Sequence, residues 1–420
     1  MMSVLKINGG KRLSGEVSVH GAKNSALPVL AATLAAGGKC EIHNCPRLSD
    51  VEAAGAILSY LGCRTGWSDG VFSVDSSDVS RCEIPDELMR EMRSSIAFLG
   101  AMLTRCECVK LSMPGGCELG PRPIDLHIDA LGRMGARVEE RDGCIIFRRG
   151  GRLRGCRVPL SFPSVGATEN IMTAASTAKG TTVITNAARE PEISDLADFL
   201  NSCGARIGGA GGSTVVIEGV ERLHGCIHSV IPDRIEAATY MAAAAITGGS
   251  VLLKNVIAEH VMPVVPSFEE MGCVISFCGS DIKIEAPQRL HAVRYIRTMP
   301  YPGFPTDAQA IVMACTCRAD GSSVFAETIF DSRFRHTAEL ARMGARIKTD
   351  GRIAVVEGVS RLCGAPVAAT DLRGAAALVT AGLAAEGTTT VSQLRHLDRG
   401  YQDIETALAG LGADIKRTDG

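Results

Sequence analysis

Reactive chemistry in this 420-residue chain concentrates in one stretch, Met113-Pro-Gly-Gly-Cys-Glu-Leu-Gly-Pro-Arg-Pro123. It holds three glycines and three prolines, a composition no helix or strand tolerates, so residues 113–123 form a loop. The loop carries one thiol, Cys117, and one guanidinium, Arg122, with Asp125 and His127 where the next helix should begin. A cation beside a thiol favours the thiolate, and glycine hinges keep the thiol accessible. No comparable setting surrounds the other fifteen cysteines.

A second set of candidates recurs along the chain. Polar residues stand at the expected start of successive helices: Lys23-Asn24, Ser94-Ser95 after Arg93, Ser164, Asp233, Asp307, and Asp371 with Arg373. Ser and Asp cap helices routinely. Lys23 and Arg93 do not fit that role, because a cation is disfavoured at the positive end of a helix dipole. Each calls for an anion nearby. Helix N-termini bind anions in any case. Six such ends turned to one cleft would make an anion-seeking site, with Arg122, Arg333 and Arg399 adding charge from loops.

The elements that must position these residues repeat. Six times a helical pattern ends in an apolar residue or Cys, then Gly, then Ala or Cys, with the glycines at 62, 135, 204, 272, 344 and 412. Their separations are 73, 69, 68, 72 and 68 residues. That period is too long for a solenoid module and suits a supersecondary unit. Each unit opens with an Ala-rich helix, as at 25–36, 167–178, 235–245 and 374–385. A short strand follows, as at 181–185 and 388–391. A second helix runs into the Gly motif, and a hairpin comes next, often turning at Asp-Gly, as at Asp69-Gly70, Asp142-Gly143 and Asp350-Gly351. Gly208-Gly-Ala-Gly-Gly-Ser213 falls at such a turn and not before a helix, so it is no phosphate loop. The fold class is α/β, with helices packed on one side of short mixed sheets. The sixth unit stops at its hairpin, and residues 1–21 supply the missing strands. Two three-unit domains result, one over 22–231 carrying the 113–123 loop, the other discontinuous, 1–21 plus 232–420. Crossings near Gly21 and Pro232 would form a double hinge suited to closing around a ligand.

Composition excludes several classes. A net charge of −2 and a pI of about 6.5 argue against a nucleic-acid partner. The longest near-continuous apolar run, 237–246, is too short for a bilayer, so no membrane insertion is expected. Sixteen cysteines without a secretion pattern read as reduced, cytoplasmic thiols. Cys-x-x-Cys is absent, so no metal site is expected.

The joint motifs resemble the UDP-N-acetylglucosamine branch of the enolpyruvyl transferase family over the whole chain. They are His20-Gly-Ala-Lys-Asn-Ser-Ala-Leu-Pro28, the Pro-Gly-Gly-Cys loop running into Arg122-Pro-Ile-Asp-Leu-His127, Pro163-Ser-Val-Gly-Ala-Thr168, Phe304-Pro-Thr-Asp307 and Asp398-Arg-Gly-Tyr401. The shikimate-pathway branch lacks the Pro-Gly-Gly-Cys loop. The resemblance implies two inside-out α/β barrels of three units each, and transfer of enolpyruvyl from phosphoenolpyruvate to the sugar 3-hydroxyl of UDP-N-acetylglucosamine. That is an early cytoplasmic step of peptidoglycan synthesis, tied to cell wall biogenesis, shape and division. No cofactor is implied. By motif match, Lys23, Asn24, Arg122 and Arg399 would hold phosphoenolpyruvate. The nucleotide sugar would meet Arg93, Arg122, Pro123, Ile124, Asp125, Leu126, Ser164, Val165, Gly166, Asp307 and Ile329. Cys117 resembles the proton donor to the methylene carbon, and Asp307 the residue that orients or deprotonates the hydroxyl. Arg333, Asp371 and Arg373 support the cleft. Phe162 and Ser49 stand where some members carry Lys. The alternative is a non-catalytic binder of nucleotide sugars or anions on the same fold, which has no use for Cys117. The hinge reading has a direct check: small-angle scattering should report compaction when UDP-N-acetylglucosamine is added, and an unchanged radius of gyration would refute it.

Overall fold

The computed structural model describes residues 3–92, 95–112 and 124–419. Among them the chain forms two compact units, one of residues 3–20 and 232–419, the other of 21–92, 95–112 and 124–231. No helix among the described residues is long and apolar enough to cross a membrane.

An Ala-rich helix without a polar face needs burial on all sides. In the unit beginning at residue 21 two such helices, Lys23–Ala36 and Val165–Ala175, pack with the apolar Phe98–Arg105 between them. In the other unit they are Arg234–Ile246, Thr306–Thr316 and Leu372–Ala384, also mutually packed, and every residue of Arg234–Ile246 is buried. Small side chains set the spacing. A methyl group built on Gly100 would lie 2.3 Å from the Asn170 carbonyl oxygen on the neighbouring helix.

Around each trio lie three four-stranded sheets, each mixing one parallel and two antiparallel pairings. Every sheet takes its outermost short strand from the preceding repeat. Glu83–Ile84 pairs with Cys108–Ser112, Arg157–Pro159 with Thr181–Thr185, and Ile227–Ser229 with Lys39–His43, which closes the first cycle. The second unit closes likewise, through Ser14–Ser18 on Ser250–Lys254, while Ser3–Asn8 fills the sheet of Thr388–Ser392 and Asp414–Asp419.

The six Gly motifs terminate the outer helices. Each glycine has positive φ, from +90° to +107°, and the next residue's N–H donates to the carbonyl five residues back, as in Cys63 to Leu58 and Ala413 to Leu408, both 3.0 Å. These are Schellman ends, in which left-handed glycine satisfies the last helical carbonyls.

One expectation fails. Cys82 and Cys106 form a disulfide with Cα atoms 5.8 Å apart, so the cysteines are not all reduced. The two residues precede strands that pair in parallel, which brings the chain in side by side at the sheet edge. Sequence separation gives no hint of this pairing.

The close helix approach is testable. Gly100→Ala should cost about 1–3 kcal/mol through overpacking and lower the melting temperature by several degrees. Unchanged thermal denaturation would show that the trio tolerates wider spacing.

Candidate functional site

Asp307 is the second residue of Thr306–Thr316, where the helix end favours a carboxylate. Its two oxygens are held separately: Arg333 Nη2 donates to Oδ1 at 2.8 Å and Arg373 Nη2 to Oδ2 at 2.9 Å. Both guanidiniums are sealed, at 3% and 2% exposure, whereas the Asp307 side chain keeps 27% accessible. The arrangement is a fixed carboxylate, open on one side, with buried cations behind it.

Further contacts fix the cations. Arg333 also donates to the Thr306 carbonyl at 3.1 Å and lies over the Phe330 ring. Arg373 Nη1 donates to the Tyr401 hydroxyl at 3.3 Å, and that hydroxyl lies 2.8 Å from Thr239 Oγ1. Burial works against the charge on Arg373, but Asp307, Tyr401 and Asp233 outweigh it and raise its pKa. Asp371 caps Leu372–Ala384 by accepting from the N–H groups of Arg373 and Gly374. Burial pushes the Asp371 carboxyl up, yet the Arg333 charge and the backbone N–H of Gly374 help leave it below its ordinary value. Burial also brings His336 down to about 4, so it is neutral. Nε of Arg333 and of Arg373 is buried and finds no protein acceptor among the described residues, which leaves each cation with an unsatisfied donor at a cost in stability.

Glu327 is the organiser that no motif marked. It is buried and accepts from Thr298 Oγ1, Thr306 Oγ1 and the N–H groups of Ile329 and Phe330, at 2.8–3.1 Å. It thereby fixes Ile329 relative to the start of the Asp307 helix. Arg399 is half-buried in the loop after His396, next to Asp398, which pairs with Arg417 at 2.7 Å.

In the other unit Lys23 opens Lys23–Ala36, and its ammonium lies 2.8 Å from Asp50 Oδ2, both groups nearly sealed. Asp50 supplies an anion of the kind that a cation at a helix start requires. Asn24 is half-buried beside it. Ser25 donates to Asp195, whose other oxygen is 3.0 Å from His228 Nε2.

Ile124, Asp125 and Leu126 are joined to Ser164, Val165 and Gly166 through His127 and Asn170. Ser164 caps Val165–Ala175 by accepting from Ala167 N–H at 3.3 Å. The Asn170 amide donates to the Gly166 carbonyl at 3.2 Å and to His127 Nδ1 at 3.1 Å, while its oxygen accepts from Gly100 N–H at 2.6 Å. Burial lowers His127 to about 4, so the ring is neutral and carries its proton on Nε2. Asp125 remains exposed at the helix start. Arg93, Ser94, Cys117, Arg122 and Pro123 lie outside the described residues. The structure therefore assembles three sets, one around Asp307, one around Lys23 and Asp50, and one around His127 and Asn170. The residues missed from sequence, Glu327, Asp50, Asp195, His228 and Asn170, are polar positions without a local pattern. Most of them stand beside other polar residues, as Asp50 does beside Ser49 and Asp195 beside Ser194, so sequence does not single them out.

Comparison with known proteins agrees over full length. The family model of EPSP synthase (3-phosphoshikimate 1-carboxyvinyltransferase) matches residues 7–408. A relative from Caldanaerobacter subterraneus subsp. tengcongensis, named UDP-N-acetylglucosamine 1-carboxyvinyltransferase 2, is 53% identical, covering 99% of this chain and 100% of its own. A UDP-N-acetylglucosamine 1-carboxyvinyltransferase 1 from Symbiobacterium thermophilum is 51% identical, covering 98% and 94%. Among solved structures, the enolpyruvyl transferase NikO from Streptomyces tendae aligns with a TM-score of 0.89 at 28% identity, over 100% and 99% of the two chains. An EPSP synthase from Acinetobacter baumannii aligns at 0.75 with 18% identity over 100% of both chains, a likeness of fold alone.

Glu169, one turn into Val165–Ala175, gives a pH test. Burial, then Glu192 and Glu190, raise its carboxyl to about 8, so it folds protonated at neutral pH. Unfolding then releases a proton. This group's share of stability is intact below the ordinary value of 4.5 and declines as pH rises toward about 8. Glu169→Gln should therefore gain melting temperature over the parent as pH is raised across that window, and a pH-independent difference would contradict the assignment.

Proposed function

The chain belongs to the EPSP synthase family of 1-carboxyvinyltransferases, and we propose that its reaction moves the enolpyruvyl group of phosphoenolpyruvate onto the 3-hydroxyl of UDP-N-acetylglucosamine, with release of phosphate. The observation that carries this reading is identity of 53% and 51%, over nearly the whole chain, to relatives bearing that transferase name. The fold reading that accompanies it is two inside-out barrels of three units each, and the role is a cytoplasmic one in peptidoglycan precursor synthesis.

The chemistry assigns the residues. Phosphoenolpyruvate carries a carboxylate and a phosphate, and Lys23, Asn24, Arg122 and Arg399 meet them with charge-assisted hydrogen bonds. Arg93, residues 122–126, Ser164, Val165, Gly166 and Ile329 bind the nucleotide sugar. The sugar oxygen bonds to the central carbon of phosphoenolpyruvate while Cys117 protonates the methylene carbon. The tetrahedral adduct then loses phosphate while a base takes a proton from the new methyl group, which restores the carbon–carbon double bond of the enolpyruvyl group now carried on the sugar oxygen. Asp307, clamped by Arg333 and Arg373, is a fixed acceptor for the attacking hydroxyl. Its orientation does not have to be established during the reaction, which is the benefit of preorganisation.

The first assay is phosphate release from phosphoenolpyruvate that depends on UDP-N-acetylglucosamine. A non-catalytic binder would release none. The second separates two roles of Cys117. A proton donor can be replaced by another acid, a nucleophilic sulfur cannot. Cys117→Asp should keep substantial turnover, while Cys117→Ser should lose about 10²–10⁴-fold. An active Ser variant, or a folded but inactive Asp variant, would overturn the donor role.

A further inference from the structure

We propose that Cys40, Cys203 and Cys226 form a binding site for one soft divalent cation of the zinc type, remote in the chain from the residues assigned to catalysis. Their three sulfur atoms all lie within 4.8 Å of one another, with Cys203 and Cys226 at 3.4 Å. A zinc ion with bonds of about 2.3 Å to sulfur holds tetrahedral thiolates about 3.8 Å apart, so the triangle needs only small side-chain shifts. Cys40 and Cys203 are fully buried, and Cys226 is half-buried and gives the ion an entry. Binding would exchange three S–H bonds for three sulfur–metal bonds and release the protons to solvent. Sequence spacing argued against a metal because no Cys-x-x-Cys is present. The fold assembles the triad from three distant positions.

The repeats supply an internal comparison. Cys203 is the residue before the Gly motif, Cys226 precedes the exchanged short strand, and Cys40 is its partner on the receiving strand, whose Glu41 N–H donates to the Cys226 carbonyl at 3.0 Å. By the same pairings the matching triads are Leu61, Cys82 and Val109; Met134, Cys156 and Thr182; Met271, Arg294 and Ser323; Met343, Ala365 and Thr389; and Leu411, Gly15 and Val251. That these positions converge is visible in the last, where a methyl group on Gly15 would lie 3.7 Å from Leu411 Cδ2. Packing at this corner is thus met elsewhere by apolar or small residues, with Arg294 the one exception. Three thiols occur at one corner of the six, and it is the corner where the third repeat closes onto the first. A metal there would tie residue 40 to residues 203 and 226 and hold the cycle shut, a long closure with a correspondingly large entropic benefit.

The test uses the full chain, reduced, stripped of metal and titrated with Zn²⁺ against a chromophoric chelator. Cd²⁺ serves as a spectroscopic probe of thiolate charge transfer. The parent should bind one tight equivalent and melt at higher temperature with Zn²⁺. Cys203→Leu and Cys226→Ala, which install residues found at matching corners, should lose that equivalent, weakening affinity by about 100-fold or more, and should not respond thermally. Cys156→Ala, at the matching position of the second repeat, should keep it. Should one of the two cluster variants fail to fold, the other decides. Tight uptake that survives both cluster variants, uptake no tighter than that of Cys156-type isolated thiols, or a Cys203–Cys226 disulfide in the purified chain in place of metal would each overturn the proposal.

Discussion

The mutual packing of three buried, largely apolar helices in each unit is the constraint on which the rest depends. Helices this apolar have no surface to give to water, so both their length and their starting points are set by neighbours. In one trio helix starts meet, Asp307 at one pairing with Arg373 at another, while in the other trio Asn170 in mid-helix accepts from Gly100 near the start of its neighbour. Polar residues at these starts answer the unpaired N–H groups every helix leaves there. Functional side chains collect where the backbone already needs polar partners.

The Asp307 group is a poor investment if stability were its purpose. Two sealed guanidiniums share one carboxylate, and desolvating such charges commonly offsets what their attraction returns. Nε of each arginine is also left without a protein acceptor. An anionic ligand beside Asp307 would offset the excess positive charge through space. Lys23 differs. Its pairing with Asp50 already satisfies one direction of the ammonium, so its part in binding a phosphate or carboxylate includes competition with that partner.

What the sequence made legible was local. The Gly motifs end helices through backbone geometry that only glycine adopts easily, so six glycines mark six helix ends. Ala-rich runs mark helices because nothing else buries so compactly; their boundaries were off by one to three residues, as at Val165–Ala175, since caps and not composition decide them. The strand formed by Ser3–Asn8 was readable because the last repeat lacked one. Non-local pairings were not legible. Glu327 joins three segments, and Cys82 meets Cys106, through contacts that no window of sequence contains. The reading of all cysteines as reduced rested on the lack of a secretion pattern, which carries no information on which thiols the fold brings together.

The repeat also separates two tasks along its length. Lys23 lies at the start of a 14-residue helix and Cys40 in the strand beyond its end, and that helix is roughly 21 Å long at about 1.5 Å per residue. Chemistry placed at helix starts is therefore kept away from the corners where strands are exchanged. The corners carry a different burden, since a cycle made by lending strands is only as closed as its last exchange. Ile227–Ser229 makes that last exchange with just three residues, a short ladder for the closure of some two hundred. What sets this corner apart from the similarly short exchanges of Glu83–Ile84 and Arg157–Pro159 is that it joins the two ends of the cycle, so a cross-link there closes the longest loop in the unit. Change at the two ends of the repeat is thus free to proceed separately, in thiols at one and in charge at the other.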